Sequence, residues 1–180
     1  MHRPDLGAHD AYYSTYIDRV PGRPMLEVMA EAADALDALL GGLTLDEETY
    51  AYASGKWSIR DVVGHVIDTE RLFSYRALHI ARADPAELPG MEQELWAAAS
   101  NANERPLADL LAEFRALRTA NTALFGSFDE ATFSRRGIAS ELEFTVRALL
   151  YIIAGHELHH RDVLEELYLP GVATGSDPHA

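Results

Sequence analysis

The sequence contains no cysteine. That absence excludes disulfides, a thiol nucleophile and thiolate metal ligands, and it fits a reducing, cytoplasmic setting. Any metal bound by the chain must therefore sit on histidine and carboxylate. Long apolar runs are missing too: nothing approaches the ~20 uncharged residues that a membrane-spanning helix needs. Asp5, His9 and Asp10 stand where an export signal would need an apolar stretch, so no such signal is expected. Basic residues are scarce, with 15 Lys plus Arg against 29 Asp plus Glu and a formal net charge of −14 at pH 7. Such a surface repels phosphate backbones, and the best basic pair, Arg135-Arg136, is too short to reverse that. Neither nucleic acid nor membrane is expected as a partner.

What is present is an ordinary globular composition, 48% hydrophobic and 24% charged in 180 residues. That length suits one domain over residues 1–180 with a core of its own. Tyr12, Tyr13, Tyr16 and Ile17 form a short docking segment, stopped by Pro21 and Gly22. Pro24 is read as the first residue of a helix striped by Met25, Val28, Met29, Ala32, Leu36 and Leu40 and ended by Gly41-Gly42. Ser58, with Asp61 three residues on, predicts the start of a second long helix over 59–82, striped by Val62, Val66, Ile67, Phe73, Ala77 and Ile80. Leu95 and Trp96 give a weak stripe and a short helix over 91–104. Pro106 opens another helix that carries Leu107, Leu110, Leu111, Phe114 and Leu124 to Gly126. Residues 127–143 read as a turn of helix and a loop, 144–167 as the last helix, and about 170–180 as a mobile tail in which His179 is no ligand. The sum is all-α. A four-helix bundle with a short extra helix hides every apolar stripe.

The last helix holds the motif that carries chemistry, Gly155-His156-Glu157-Leu158-His159-His160. Leu149, Ile152, Ile153, Val163, Leu164 and Leu167 mark its buried stripe, and His156 and His160 fill two gaps in that stripe. Four residues apart on a helix, their Cβ atoms lie about 5–6 Å from each other. That spacing lets two imidazoles grip one divalent ion. Polar rings in a core seam need partners of this kind. His159 is the rival partner for His156, but it lies off the seam. His65, on the edge of the 59–82 stripe, is the best-placed third ligand, facing the pair across a bundle. Asp68 and Glu70, on the same helix, are candidates for supporting or acid–base roles.

The run also matches H-E-x-x-H, the zinc-protease signature in which Glu is the general base. The match fails downstream. Glu165 and Glu166 lie only five and six residues past His160, on the same helix, where a thermolysin-like site needs a carboxylate from another helix. The longer form needs Gly and His where this chain has Val163 and Glu166. Glu157 points about 100° away from His156 on the helix wheel, toward solvent or a partner subunit, and is not expected to be catalytic.

Gly55-Lys56-Trp57-Ser58-Ile59, Gly64-His65-Val66-Ile67-Asp68-Thr69-Glu70-Arg71, Tyr75-Arg76-Ala77-Leu78, Leu88-Pro89-Gly90-Met91, Phe114-Arg115-Ala116-Leu117-Arg118 and Gly155-His156-Glu157-Leu158-His159-His160 together resemble the DinB-like, YfiT-like metalloproteins over roughly residues 12–169. The resemblance implies a four-helix bundle of DinB/YfiT type with one divalent metal on three histidines, carried over here to His65, His156 and His160. It also implies a homodimer, and a metal that is zinc or nickel, with iron or manganese as alternatives. His159 and Glu157 are usual in this branch, so neither argues against the assignment. Related branches include transferases and isomerases that use bacillithiol or mycothiol.

Three neutral nitrogen ligands leave a metal its full charge and an open position, and lower the pKa of a bound water toward about 7. The expected function is a metal-dependent hydrolase, or a transferase using a low-molecular-weight thiol, acting on a small molecule. The alternative is a non-catalytic metal-binding or stress-responsive protein. An open pocket beside the metal would favour an enzyme. Trp57, Trp96 and Tyr151 are the candidates to line it.

Overall fold

The computed structural model describes residues 3–4 and 11–175. Four long helices carry the apolar stripes: α2 (Met25–Leu40), α3 (Ile59–Ala81), α5 (Leu107–Gly126) and α7 (Val146–Val163), joined by the short α1 (Ala11–Ile17), α4 (Gln93–Ala99), α6 (Glu130–Phe133) and α8 (Leu169–Thr174). Around the bundle the long helices follow the order α2, α5, α3, α7, so α2 and α3, neighbours in sequence, lie diagonally opposite. The long connection over residues 41–58 is what that diagonal crossing requires.

Local chemistry sets the boundaries. Ser58 Oγ accepts from Asp61 N at 3.0 Å, and Asp61 Oδ2 accepts from Ser58 N at 3.0 Å. This reciprocal cap satisfies two orphan amides and is worth about 1 kcal/mol. Thr145 Oγ1 caps α7 by accepting from Ala148 N at 3.0 Å. Pro24 is the residue before α2, one position earlier than expected, and its φ of −55° leads into the first turn.

Three expectations change. Residues 136–143, expected as loop, and 144–145, expected as the start of the last helix, form an antiparallel hairpin, β1 (Arg136–Ala139) and β2 (Leu142–Thr145), with Arg136 paired to Thr145 and Ala139 to Leu142. Its two-residue turn puts Ser140 and Glu141 at φ 54° and 63°, the mirror-image turn whose twist matches a hairpin. Arg76 donates to Ser140 Oγ at 2.8 Å and to Pro89 O at 2.7 Å, which ties that strained corner to α3. The 91–104 helix is in fact α4 plus a separate tight turn, Ala102–Glu104, and α4 buries none of its residues. Ala102 instead packs against α3 at Gly64, where an added Cβ would come within 2.8 Å of the Ala102 Cβ. The last helix passes into a wide turn, Leu164–Tyr168, and then α8. The wide turn seats Leu164 and Tyr168 in the core and leaves Leu167, expected in the stripe, 46% exposed. The expected tail is therefore helical to Thr174, and the rest of it, with His179, lies outside the described residues.

α1 packs along α7 so closely that a Cβ at Gly155 would sit 2.0 Å from the carbonyl oxygen of Tyr16. Only a hydrogen fits there. Gly155→Ala should therefore cost about 1–3 kcal/mol of stability, measured by urea unfolding. An unchanged midpoint would mean α1 does not hold this contact in solution.

Candidate metal centre

α3 delivers His65 and α7 delivers His156 and His160 into one place. His156 Nε2 lies 3.1 Å from His65 Nε2 and 3.1 Å from His160 Nε2, and one ligand atom from each of the three residues falls within 4.8 Å of the others. Two nitrogens roughly 2.0–2.1 Å from one tetrahedral zinc lie about 3.3–3.4 Å apart, so the two spacings to His156 need only a slight opening. The donor chemistry agrees. Burial pushes His65 down to about 4 and His160 down to about 3, and holds His156 well below the usual histidine range, the neighbouring rings lowering the last two further. The rings are thus neutral at pH 7, with lone pairs available. His156 Nε2 has a single site for a proton or a lone pair and faces two nitrogens at once. Hydrogen bonds alone cannot serve all three rings, whereas one cation can. His160 Nδ1 is buried without a hydrogen-bond partner among the described residues.

The same shifts set an acid limit. Unfolded, each of these histidines takes up a proton near pH 6.5; folded, His65 does so only near pH 4. Between those values the unfolded state binds more protons, so stability falls as pH falls. At about 1.4 kcal/mol per unit, His65 alone accounts for roughly 3 kcal/mol across that window. The metal-free protein should therefore lose stability from pH 6.5 to 4.5 more steeply than its H65Q variant in urea unfolding. Parallel slopes would contradict this.

The rings are held from outside. Tyr16 of α1 meets His156 and His159 edge-on, with centroids 5.3 and 5.6 Å away, and Trp57 lies 4.8 Å from His65. A salt bridge from Arg19 to Asp162 fastens the end of α1 to α7. Tyr16 was legible only as a docking residue; Gly155, which admits it, was the signal for its closeness to the histidines.

The other candidates sit elsewhere. His159 meets His160 edge-on at 5.1 Å between centroids but stays outside the triad. Glu70 is buried in an ion pair: Arg118 Nε donates to it at 3.0 Å, Arg118 Nη2 at 2.8 Å and Asn121 Nδ2 at 2.9 Å. Asp68 lines a small cavity with Arg105 and Glu113, and burial raises its pKa. Tyr151 is buried in the hydrophobic core, within the field of Arg3 and Arg147. Trp96 is 44% exposed on α4. Only Trp57 of the three aromatic candidates touches the triad. Glu157 corrects the helix-wheel expectation: it is 2% exposed, not on the surface. Burial pushes its carboxyl up to about 7 against the pull of Arg118 and Arg161, and Oε1 lacks a hydrogen bond, with Arg161 Nη1 3.8 Å away. It lies among those arginines and outside the three-histidine group.

Size does not pick out the site. A cavity of about 910 Å³ between α2 and α5 is lined by none of the histidines. A cavity of about 310 Å³ between Trp57 and α4 adjoins the triad through the Trp57 ring. Among the described residues no helix is long and apolar enough to cross a membrane.

Known proteins agree with this architecture. A protein of Geobacillus thermodenitrificans (strain NG80-2), named for an inferred metal-dependent hydrolase activity, is 26% identical over 139 residues, which are 75% of this chain and 77% of that protein. YfiT from Bacillus subtilis, described as a metal-dependent hydrolase by inference and as a four-helix bundle of unusual topology, superposes with a TM-score of 0.72 at 20% identity over 85% of this chain and 87% of its own. That likeness establishes the four-helix fold. The DinB superfamily profile (DinB_2) matches residues 29–164, most of the sequence and all of the bundle from the middle of α2 to the end of α7. The chain belongs to the DinB superfamily.

Proposed function

We propose that this protein is a metal-dependent hydrolase in which His65, His156 and His160 hold one divalent cation. The observation that carries the reading is the meeting of three neutral ring nitrogens, with His156 Nε2 3.1 Å from each of the other two. When bound, a divalent cation on three neutral nitrogens keeps its double charge and supplies Lewis acidity toward water or a thiol. The chain's own residues do the rest. Burial keeps the three rings unprotonated, α3 and α7 fix their directions, and Tyr16 and Trp57 restrict water around them. The name carried by the Geobacillus relative points the same way.

Hydrolysis is preferred over thiol transfer because no basic group lines the adjoining cavity to receive an acidic thiol cofactor. The test is a panel of esters, amides and phosphoesters, with bacillithiol plus a model electrophile as a separate arm, assayed on zinc-loaded and chelated protein. Metal-dependent hydrolysis is expected. Turnover confined to the thiol arm would make the protein a transferase. A protein that binds zinc stoichiometrically and turns over nothing would be a non-catalytic metal binder.

A further inference from the structure

Resting on that reading of the histidines, we infer that the cavity between Trp57 and α4 is a subsite for the same substrate, and that it takes a cationic group. The cavity holds about 310 Å³ and is lined by Trp57, Asp61, Glu94, Ala97, Ala98, Ser100 and Asn103. That volume is at the small end for a ligand pocket. Trp57 lines the cavity, and its ring centroid lies 4.8 Å from that of His65, so one residue belongs to both surroundings.

The polar groups of the cavity fall into two sets. Asp61 and Asn103 are committed to each other and to the helix cap: Asn103 Nδ2 donates to Asp61 Oδ1 at 2.8 Å, Ser58 N and Oγ donate to Asp61 Oδ2 at 3.0 Å each, and Ser58 Oγ also lies 2.6 Å from Asn103 Oδ1. They form a fixed, electronegative floor. Glu94, on α4, is not committed in this way. It accepts a hydrogen bond from Gln93 Nε2 at 3.3 Å and has no salt bridge among the described residues.

No lysine, arginine or histidine lines the cavity. An indole and a carboxylate with no counter-ion among the described residues, in one small space, suit a positive charge, through the ring quadrupole and through direct attraction. The net charge of −14 acts in the same sense by concentrating cations at the surface. An anionic end group would meet two carboxylates and no counter-charge. The substrate class is therefore a small amine or quaternary ammonium compound bearing a hydrolysable bond.

The test uses the full chain carrying W96F, which leaves Trp57 as the one tryptophan reporter. Three probes that are poor metal ligands share one ring and differ in charge: benzyltrimethylammonium, benzyl alcohol and benzenesulfonate. Each is titrated against zinc-loaded and chelated protein, with zinc content measured on the same samples. The cation should change Trp57 emission saturably and bind roughly tenfold more tightly than the alcohol, with no saturation by the sulfonate. E94Q should weaken the cation several-fold and leave the alcohol unchanged. Sulfonate binding equal to that of the cation, or an E94Q variant with unaltered selectivity, would overturn the subsite. One zinc per chain with no cation preference would sink the subsite alone. A cation preference in protein that takes up no zinc would sink the metal reading and support the subsite.

Discussion

Arg118→Ala should destabilise the protein by about 3–5 kcal/mol, because it strips the counter-ion from a carboxylate sealed inside the bundle. The side chains of Arg118 and Glu70 are both 2% exposed. Arg118 also donates to Met29 O at 3.3 Å, so this one guanidinium links α5 to α3 and α2. Without it Glu70 would keep only Asn121 among the described residues, and Glu157 would lose the cation that most strongly opposes its protonation. For a chain of this length the cost corresponds to a fall in Tm of about 6–20 °C. The pair as a whole is another matter. Replacing both partners, E70L with R118M, removes the desolvation cost together with the attraction and should return stability to within about 1 kcal/mol of the parent. Thermal and urea unfolding of the two single variants and the double variant form the cycle. An R118A variant within about 1 kcal/mol of the parent would show that water reaches the pair.

His156→Ala should abolish stoichiometric metal binding. His156 is the ring that meets both others, so its loss leaves one nitrogen on α3 and one on α7 with nothing between them. The affinity should fall by far more than the about 10–100-fold that loss of an outer-shell partner costs. The readout is chelator competition with zinc, together with thermal unfolding. Zinc at about 1,000 times its Kd should raise parent stability by roughly 4 kcal/mol, and should leave H156A where it was. H159A is the control. His159 lies outside the triad, so that variant should keep its metal. Full zinc retention by H156A, or equal losses in H156A and H159A, would discredit the ligand set.

The parts of this protein that could be read from its sequence are those whose physics is local. The Ser58–Asp61 cap and the stripes of α2, α3, α5 and α7 depend on spacings of three and four, and these survive in one dimension. His156 and His160 were legible as a pair because they share a helix and a seam, whereas His65, on the edge of its stripe, was drawn in as a third ring facing them across a bundle and by the family resemblance. What escaped depends on tertiary contact. The hairpin turn at Ser140-Glu141 lacks the Asn-Gly or Asp-Gly that normally announces positive φ, and Arg76, 64 residues away, holds it. Glu157 looked like a surface residue on a wheel drawn for one buried face, but α7 is buried nearly all round over Val146–Glu157. The Glu70–Arg118 pair joins two residues that each resemble solvated surface charge in isolation. Trp96 and Leu95 had the opposite fate, since α4 finds no apolar surface to lie on.

The proposed chemistry depends on three imidazoles sharing one ion. Zinc K-edge X-ray absorption, on protein prepared without a histidine tag and loaded with one equivalent of metal, examines that directly. The expected result is one zinc per chain with three imidazole nitrogens at roughly 2.0–2.1 Å and a light-atom ligand completing the shell. A shell of oxygens, or fewer than three imidazoles around a zinc bound at full occupancy, would contradict it.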